Sequence, residues 1–436
     1  MSSHEICPEC NRKYTAIWSK WCKPCNSKHF QNDFGKWTSG NNIIDKLIQD
    51  AQINAEDIHK VIEWIPYHRF KDIKEIAKGG FGTIYKAKWI DGRIFRWGVK
   101  IQQWKRWNQQ DAALKKFDNN FACLNENYLN EIAIHLKTDA SVRIYGITQE
   151  PETHKYIMVL QYMESGNLRD YLKNNFSNIN WESKLYYLNQ LASDFKNIHK
   201  LDIIHHDFHP GNILSTKFES FYLLYISDFG LSKLIGQNTE NPEKRQIFGV
   251  LPYIAPEVLS GEEYTKAADI YSFGIIAYEI VTGFAPYHDI PHNRDLARQI
   301  CDGLRPKIPF HIPKLITRII MRCWDARVTH RPTFDELNEN FNYYTNNYEE
   351  KNYENSNEIT IQIDNSEKSY KNLRSISATP VSYKTHPEAI YTSRLLNYSS
   401  LPKPTNDENF EKELEELTKS TSALSIVASK LRVPKF

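Results

Sequence analysis

Long apolar runs are missing from this chain of 436 residues, and none approaches the roughly 20 residues that a membrane-spanning helix requires. The first residues also lack the apolar stretch of a secretory signal, so we expect a cytoplasmic protein without a membrane partner. Charge of one sign is not in excess: the formal net charge is +2, which disfavours nucleic-acid binding driven by bulk charge. Hydrophobic residues still make up 41% of the chain, enough for a substantial core.

Cysteine is sparse, and four of the seven cysteines form two Cys-x-x-Cys pairs near the start: Cys7 with Cys10, and Cys22 with Cys25. Two such pairs can direct four thiolates toward one tetrahedral Zn²⁺ ion. A redox dithiol is the alternative, and the second pair nearby disfavours it. We therefore predict a zinc-ribbon-like segment over residues 1–40. Zinc would supply the folding energy of so small a unit, whose role would be structural or partner-docking.

Three further regions follow from the hydrophobic pattern. Residues 41–69 predict a helical linker with two short amphipathic helices, the second capped by Asn54 and stopped by Pro66. Residues 70–345 predict a globular domain that begins with short strands and becomes rich in helices. Residues 346–436 are polar, so we expect a largely disordered tail with one charged helix near its end.

Five residues suited to phosphoryl transfer follow one another along the chain: Lys100, Glu131, Asp207, Asn212 and Asp228. Lys100 ends a Trp-Gly-Val-Lys run that follows a glycine cluster. Asp207 and Asn212 belong to a His-His-Asp-Phe-His-Pro-Gly-Asn run, and Asp228 opens Asp-Phe-Gly. Two ordinary turns containing aspartate could explain these runs singly, but not their common order.

Together these motifs resemble the catalytic domain of a eukaryotic protein kinase over about residues 70–345. Residues 249–257, Gly-Val-Leu-Pro-Tyr-Ile-Ala-Pro-Glu, resemble the end of an activation segment. Asp269 resembles the buried anchor of the catalytic loop, and Arg331 would form an ion pair with Glu257. The residues of these motifs look most like those of the tyrosine-kinase-like group. With its paired cysteines, the whole chain is similar to the expanded kinase families of root-symbiotic (arbuscular mycorrhizal) fungi.

The resemblance implies an α+β, bilobal protein kinase fold with a small, mostly β lobe and a large, mostly α lobe. It implies that ATP binds in the cleft between the lobes. By motif position, Tyr162 and Met163 would lie on the hinge, and Leu160 would be the gatekeeper just before it.

The glycine cluster would fold over the phosphates of ATP, because glycine lets backbone N–H groups approach the oxygens closely. The family pattern is Gly-x-Gly-x-x-Gly, and this chain has alanine at the first position. A simple turn is the alternative explanation for the cluster alone. The expected nucleotide-binding residues of this loop are Ala77, Gly79, Gly80, Phe81 and Gly82.

The resemblance also implies a lysine–glutamate pair that positions the α- and β-phosphates. Lys100 is the expected lysine. Glu131 would hold it from a helix predicted over residues 121–137, with Glu126 as the competing glutamate.

The remaining roles concern the acceptor and the metal. Asp207 would accept or orient the proton of the substrate hydroxyl, while Asn212 and Asp228 would hold Mg²⁺ with their oxygens. The expected reaction is therefore transfer of the ATP γ-phosphate to a protein hydroxyl, on serine or threonine with tyrosine as the alternative.

Departures from the family pattern keep other functions open, and Ala77 in the glycine cluster is one of them. His206 replaces an arginine that docks a phosphorylated activation loop, His209 replaces a lysine near the γ-phosphate, and Val250 replaces a threonine. A pseudokinase scaffold and a zinc-dependent adaptor are the alternatives. The sequence does not define the protein substrate or the oligomeric state.

Overall fold

The computed structural model describes residues 5–79, 82–117, 126–219, 224–234, 247–350, 357–376, 384–398 and 400–419. The chain divides into two compact units, Met1–Glu164 and Ser165–Phe436. Across the described ranges, no helix combines the length and the apolar character needed to span a membrane.

The first unit contains strands β1 to β8 and helices α1 to α3. The strands are β1 Glu63–Trp64, β2 Phe70–Gly79, β3 Gly82–Trp89, β4 Ile94–Gly98, β5 Gln103–Arg106, β6 Gln110–Lys116, β7 Ile144–Gln149 and β8 Tyr156–Gln161. The helices are α1 Lys23–Asp33, α2 Asn42–Asn54 and α3 Glu126–Lys137.

The second unit contains strands β9 to β14 and helices α4 to α11. The strands are β9 Ile203–Ile204, β10 Ile213–Ser215, β11 Leu224–Ile226, β12 Lys233–Leu234, β13 Ile247–Gly249 and β14 Arg394–Leu396. The helices are α4 Leu168–Asn175, α5 Trp181–Lys200, α6 Pro256–Leu259, α7 Lys266–Thr282, α8 Arg294–Cys301, α9 Lys314–Cys323, α10 Phe334–Glu349 and α11 Glu358–Ile376.

A mixed sheet forms the centre of the first unit, with the strand order β1-β7-β8-β6-β3-β2. Strand β6 lies inside the sheet, antiparallel to β3 on one side and to β8 on the other. Its side chains alternate in direction, so Ala112 and Leu114 enter the core with Trp89 and Val159. This alternation fixes the direction of Lys115, the next residue.

The N-terminal segment shares a core with the β4–β5 hairpin. Trp21 and Phe30 pack with Ile58 and Ile94, and the indole N–H of Trp21 donates to the Ala55 carbonyl at 2.9 Å. Among the described residues before α1, the β-structure consists of two isolated bridges, Ile6 with Lys13 and Ala16 with Trp21. The first cysteine pair therefore lies in a turn and the second at the start of α1, where Cys22 is the N-cap, rather than in a β-ribbon. The N-terminal segment thus packs into the first unit and shares its core with the β4–β5 hairpin, instead of forming a separate module.

The linker prediction is half right. Helix α2 is present, and the Asn41 side chain caps it by accepting from two backbone N–H groups. The second predicted helix is wrong: Ile58–Lys60 is a single 3-10 turn and β1 follows, paired in parallel with β7. Asn54 ends α2 instead of starting a new helix. A short apolar run is compatible with the spacing of either a helix or a strand. Pairing with β7 made this one a strand.

The second unit is mostly helical, and α7 is buried along most of its length. Helix α5 packs against both α7 and α10, while β10–β11 and β9–β12 form two small antiparallel pairs. The mixed sheet of the first unit and the helices of the second fit the expected α+β protein kinase fold.

The expectation of a largely disordered tail is wrong for its described residues. Helix α11 buries Ile359 and Ile363, and the Gln362 side chain accepts from the Leu315 N–H at 3.0 Å. Farther along, β14 pairs with β13, and Phe410 is buried. Sparse apolar residues at well-separated positions are sufficient here because the large unit already supplies the surface they pack on.

Candidate active site

Lys115 and Glu131 form a buried ion pair in the first unit. The Lys115 Nζ lies 2.5 Å from Glu131 Oε1, and their side chains are 6% and 1% exposed. Strand β6 provides the lysine and helix α3 the glutamate, so two rigid elements hold the pair. In a protein kinase this arrangement positions the α- and β-phosphates of ATP.

The assignment of Lys100 to this pair is therefore wrong. Lys100 lies in the exposed turn between β4 and β5, a hairpin inserted between β3 and β6. It lines a cavity beside the cysteine cluster together with Trp97 and Lys105. Residues 97–100 of the hairpin, Trp-Gly-Val-Lys, end in lysine and follow the glycine cluster, which is why the sequence alone favoured Lys100.

The missed lysine did leave a signal. Residues 112–115 read Ala-Ala-Leu-Lys, closer than Trp-Gly-Val-Lys to the Val-Ala-Ile-Lys pattern of the family. The first Ala and the Leu of that run are buried and the lysine follows in alternation, as expected for a central strand. The choice of Glu131 as the helix partner agrees with the structure; the Glu126 side chain lies outside the described residues.

The glycine cluster joins β2 to β3. Ala77 pairs with Ile84, and Gly79 pairs with Gly82 at the end of the ladder. A Cβ on Gly82 would lie 2.4 Å from the Lys116 carbonyl oxygen, so a side chain does not fit there. Gly80 and Phe81, also assigned to the nucleotide, lie outside the described residues.

The residues predicted for the hinge follow β8. Leu160 is the last but one residue of that strand and pairs with Ala113 of β6. Met163 is buried, and the Tyr162 ring lies 4.2 Å from the ammonium group of Lys86. These positions agree with the order expected from the motif.

In the second unit, Asp269 anchors the catalytic loop. Its carboxylate accepts from the backbone N–H of His205 at 3.0 Å and of His206 at 3.4 Å, and it lies 2.9 Å from the His199 ring. These bonds hold the pKa of the Asp269 carboxyl below its usual range despite burial. The loop is thus fixed by a buried anion, as the motif predicted.

Asp207 is buried on this loop, 4% exposed. Its backbone carbonyl accepts from the Asn212 side-chain N–H at 2.9 Å, which leaves the Asn212 amide oxygen as a ligand atom. The Nε2 of His209 lies 3.5 Å from Asp207 Oδ1, and Oδ2 accepts a hydrogen bond from Ser393. Sequence reasoning missed Ser393, since its role depends on a contact across 186 positions.

Asp228 follows strand β11 in a left-handed backbone conformation, with φ of 62°. Phe229, the next residue, is fully buried. Ser232 is also buried, and its hydroxyl donates to the His205 carbonyl at 3.1 Å, so it is not presented for modification. Thr239, another hydroxyl of this segment, lies outside the described residues.

The predicted ion pair between Arg331 and Glu257 is confirmed. Two guanidinium nitrogens each lie 2.7 Å from a carboxylate oxygen, and both side chains are nearly inaccessible. This bidentate pair connects the end of the activation segment to the turn before α10. His206, which replaces the family arginine, stacks on Tyr264 with ring centroids 4.3 Å apart.

The four N-terminal cysteines converge on one point, and all their sulfur atoms lie within 4.8 Å of one another. Cys7 and Cys25 sulfurs are 3.8 Å apart, and those of Cys10 and Cys22 are 3.5 Å apart. Four thiols this close, none of them in a disulfide, could together ligate one metal ion.

Comparison with known proteins agrees with this geometry. Residues 70–341 match the family of protein tyrosine and serine/threonine kinases. A serine/threonine-protein kinase/receptor of Acanthamoeba polyphaga mimivirus is 29% identical over 311 residues, covering 69% of this chain and 18% of the viral protein. A serine/threonine-protein kinase of Dictyostelium discoideum is 30% identical over 237 residues, covering 53% of this chain and 14% of that protein.

A tyrosine-protein kinase of Girardia tigrina is 26% identical over 299 residues, covering 67% of this chain and 54% of its own length. The chain thus spans less than two thirds of each of these relatives. They include both hydroxyl specificities, so the resemblance to the tyrosine-kinase-like group and to fungal families stays a prediction. The match extends from β2 into α10 and includes Lys115, Glu131, Asp207, Asn212 and Asp228, and the chain belongs to the protein tyrosine and serine/threonine kinase family.

Proposed function

We propose that this protein transfers the γ-phosphate of ATP to serine or threonine hydroxyls of proteins. The observation that carries the proposal is the complete set of functional groups: the Lys115–Glu131 pair in the first unit, and Asp207, Asn212 and Asp228 in the second. Catalysis of this reaction is mainly positioning and charge stabilisation, so these side chains account for most of what it requires.

Each side chain has a distinct task. Lys115 would bind the α- and β-phosphates, with Glu131 neutralising and orienting its ammonium group. Asp207 would accept the proton of the acceptor hydroxyl. The Asn212 and Asp228 oxygens would hold Mg²⁺, which when bound neutralises phosphate charge. The left-handed backbone at Asp228 and the Asn212–Asp207 hydrogen bond support this proposal, because each constrains the conformation of one of the two residues.

The proposed preference for serine and threonine follows from the burial of the Asp207 side chain. Asp207 is buried, and among the described residues the hydroxyl within hydrogen-bonding reach of its carboxylate belongs to Ser393, which directly precedes the strand β14. A tyrosine hydroxyl extends several ångströms farther from its backbone. A polypeptide on this strand path could therefore present a serine to Asp207 but not a tyrosine, unless the backbone moved outward.

The pseudokinase alternative depends on the residues that depart from the family pattern. His209 replaces the family lysine, but its ring nitrogen lies 3.1 Å from the Ser393 hydroxyl beside Asp207 and can still donate a hydrogen bond at this site. None of the metal-binding or proton-accepting side chains is replaced. The scaffold hypothesis therefore makes the opposite experimental prediction, namely nucleotide binding without turnover.

The test is a radiolabelled ATP assay with a generic protein substrate, followed by phosphoamino-acid analysis. Asp207→Asn should lower the rate at least a hundredfold, about 2.7 kcal/mol, while leaving nucleotide affinity within a few-fold because no metal ligand is lost. Asp202→Asn is the matched control, since Asp202 lies in the exposed turn just before β9, outside the loop that carries Asp207. A variant Asp207→Asn that keeps half the wild-type rate would refute the assignment.

We also infer that Cys7, Cys10, Cys22 and Cys25 bind one structural Zn²⁺ ion. Convergence of the four sulfurs supports this, and four thiolates leave no open position for a reacting water. The described cysteines are all free thiols, which fits the proposed cytoplasmic location. Metal analysis of protein purified under reducing conditions should give one zinc per chain.

A further inference from the structure

Residues 384–398 and 400–411 of the tail lie along the surface of the second unit through a series of polar contacts. The His386 N–H donates to the His288 carbonyl at 2.7 Å, and the His292 N–H donates to the Glu388 carbonyl at 2.9 Å. Farther along, the Asn406 side chain accepts from the Ala326 N–H at 2.7 Å. The contact is distributed over many residues, so the tail follows a defined path.

The surface of the unit is shaped for this path. Gly303 has φ of +104°, and a Cβ there would lie 2.6 Å from the backbone nitrogen of Asp407. The Arg169 guanidinium donates to the Tyr391 carbonyl at 2.7 Å, and the Tyr391 hydroxyl donates to the Pro286 carbonyl at 2.8 Å. The close backbone approach and the paired polar groups indicate that this surface is a specific docking site for the tail.

At the centre of the path the tail becomes a β-strand. Strand β14 pairs antiparallel with β13 of the activation segment, with Gly249 opposite Arg394 and Ile247 opposite Leu396. Addition of a strand to an exposed edge is a recurrent mode of peptide recognition, because main-chain hydrogen bonds give affinity. Leu396 is buried, whereas its neighbour Leu395 is 41% exposed.

This register places Ser393 at the catalytic carboxylate. The Ser393 hydroxyl donates to Asp207 Oδ2 at 2.5 Å, and His209 Nε2 lies 3.1 Å from Ser393 Oγ. His209 Nδ1 accepts from the Gly211 N–H at 3.0 Å, so in the neutral ring the proton is on Nε2 and points to Ser393. The hydroxyl thus accepts from a histidine and donates to the proposed base.

We propose that Ser393 is a phosphoacceptor of this active site within the same chain, and that the docked tail excludes protein substrates until it is phosphorylated. The proposal rests on the kinase function proposed above. The Ser393 Oγ attacks the γ-phosphorus of ATP, and the bond from that phosphorus to the β–γ bridging oxygen breaks. ADP leaves with the electron pair, and the hydroxyl proton passes to Asp207 Oδ2. The products are phosphoserine and ADP.

Release of the tail follows from charge. A phosphoserine carries about −1.5 to −2 charges at neutral pH. At position 393 this charge would stand against the Asp207 carboxylate in a buried setting, where like charges repel strongly. Phosphorylation therefore weakens the docked state and opens the acceptor site to other proteins. An inert blocking segment would have no need of a hydroxyl at this position.

The first test follows the phosphate by mass spectrometry of the full chain with ATP and Mg²⁺. Ser393 should be labelled in wild type with a first-order rate that does not change over a twentyfold range of enzyme concentration. Thr392→Ala should behave like wild type, because Thr392 is exposed, whereas Ser393→Ala should lose this site. A Lys115→Met chain that carries a heavy-isotope label, mixed with unlabelled wild type, should remain unphosphorylated at Ser393.

The second test measures docking without turnover. Hydrogen exchange in the peptide covering 394–396, with no nucleotide present, should be slow in wild type and at least tenfold faster in Leu396→Asp. Leu395→Asp is the matched control and should exchange within twofold of wild type. In the kinase assay, Leu396→Asp should lower the KM for a generic protein substrate at least fivefold and slow Ser393 labelling.

The outcomes separate the two hypotheses. If wild type phosphorylates the generic protein but never Ser393, or labels the Lys115→Met chain equally well, this inference is wrong and the kinase function stands. Equal exchange in Leu396→Asp and Leu395→Asp would also overturn it. Absence of transfer to any protein would remove the proposed function and this inference together.

Discussion

Replacing Lys115 by methionine is the most informative test of the active site, because the sequence and the structure choose different lysines. Methionine keeps the aliphatic bulk within β6 but removes the ammonium group. Lys100→Met makes the same chemical change on the exposed β4–β5 turn. The pair of variants therefore compares the two assignments directly.

The magnitude follows from burial. The ion pair with Glu131 has an N–O distance of 2.5 Å, and both side chains are nearly inaccessible. Removing one partner of such a pair leaves an uncompensated charge, which typically costs ~3–5 kcal/mol of stability. Loss of one preorganised cationic contact to the reacting phosphates should lower the rate by ~10²–10³-fold. Lys100→Met should change both quantities little, since surface substitutions usually stay within ~0.5 kcal/mol.

Stability and catalysis can be separated experimentally. Thermal unfolding should show a lower Tm for Lys115→Met, and a second change, Glu131→Gln, should recover part of it by removing the stranded carboxylate. The double variant should stay inactive, because neither change restores the phosphate contact. Steady-state assays with ATP and Mg²⁺ well below the Tm of each variant then report kcat/KM.

Two results would refute this reasoning. The first is a Lys115→Met enzyme that keeps more than a tenth of the wild-type kcat/KM while folded. The second is a Lys100→Met enzyme that loses as much activity as Lys115→Met, which would restore the assignment made from sequence.

The remaining predictions concern metal, pH and the activation segment. Zinc chelation should lower the Tm of the first unit, as Cys10→Ser should, because the cysteine segment shares a core with β4–β5; equal melting curves with and without zinc would contradict this. Burial lowers the pKa of Lys184 to about 7, below its value of about 10.4 in the unfolded chain. The unfolded chain therefore binds the extra proton between these pH values, and stability rises with pH across that window. Lys184→Met should accordingly stabilise the protein by about 4 kcal/mol more at pH 6.5 than near pH 10, measured by urea unfolding at both pH values. Arg331→Met should destabilise by ~3–5 kcal/mol, and adding Glu257→Gln should recover part of the loss; a double-mutant cycle with no coupling would argue against the buried pair.

Local motifs were enough to find most of the second unit's site. Asp207, Asn212 and Asp228 lie within short runs whose spacing is set by tight turns, so their relation is encoded in neighbouring residues. The same holds for Asp269 and for the four cysteines, whose paired spacing already directs the sulfurs together. Helix α2 could also be predicted, because its apolar residues recur at helical spacing.

Only the tertiary structure decided the pairs made across long sequence distances. The lysine partner of Glu131 depended on recognising β4–β5 as an insertion, which shifts the true strand to β6. The residues after Asn54 became a turn and a strand because β7 offered a partner. Ser393 lies in a polar tail with no local signal, and it reaches Asp207 only because β14 adds to the activation segment. Sequence patterns specify local geometry, whereas contacts between distant segments depend on the surfaces that the folded chain brings together.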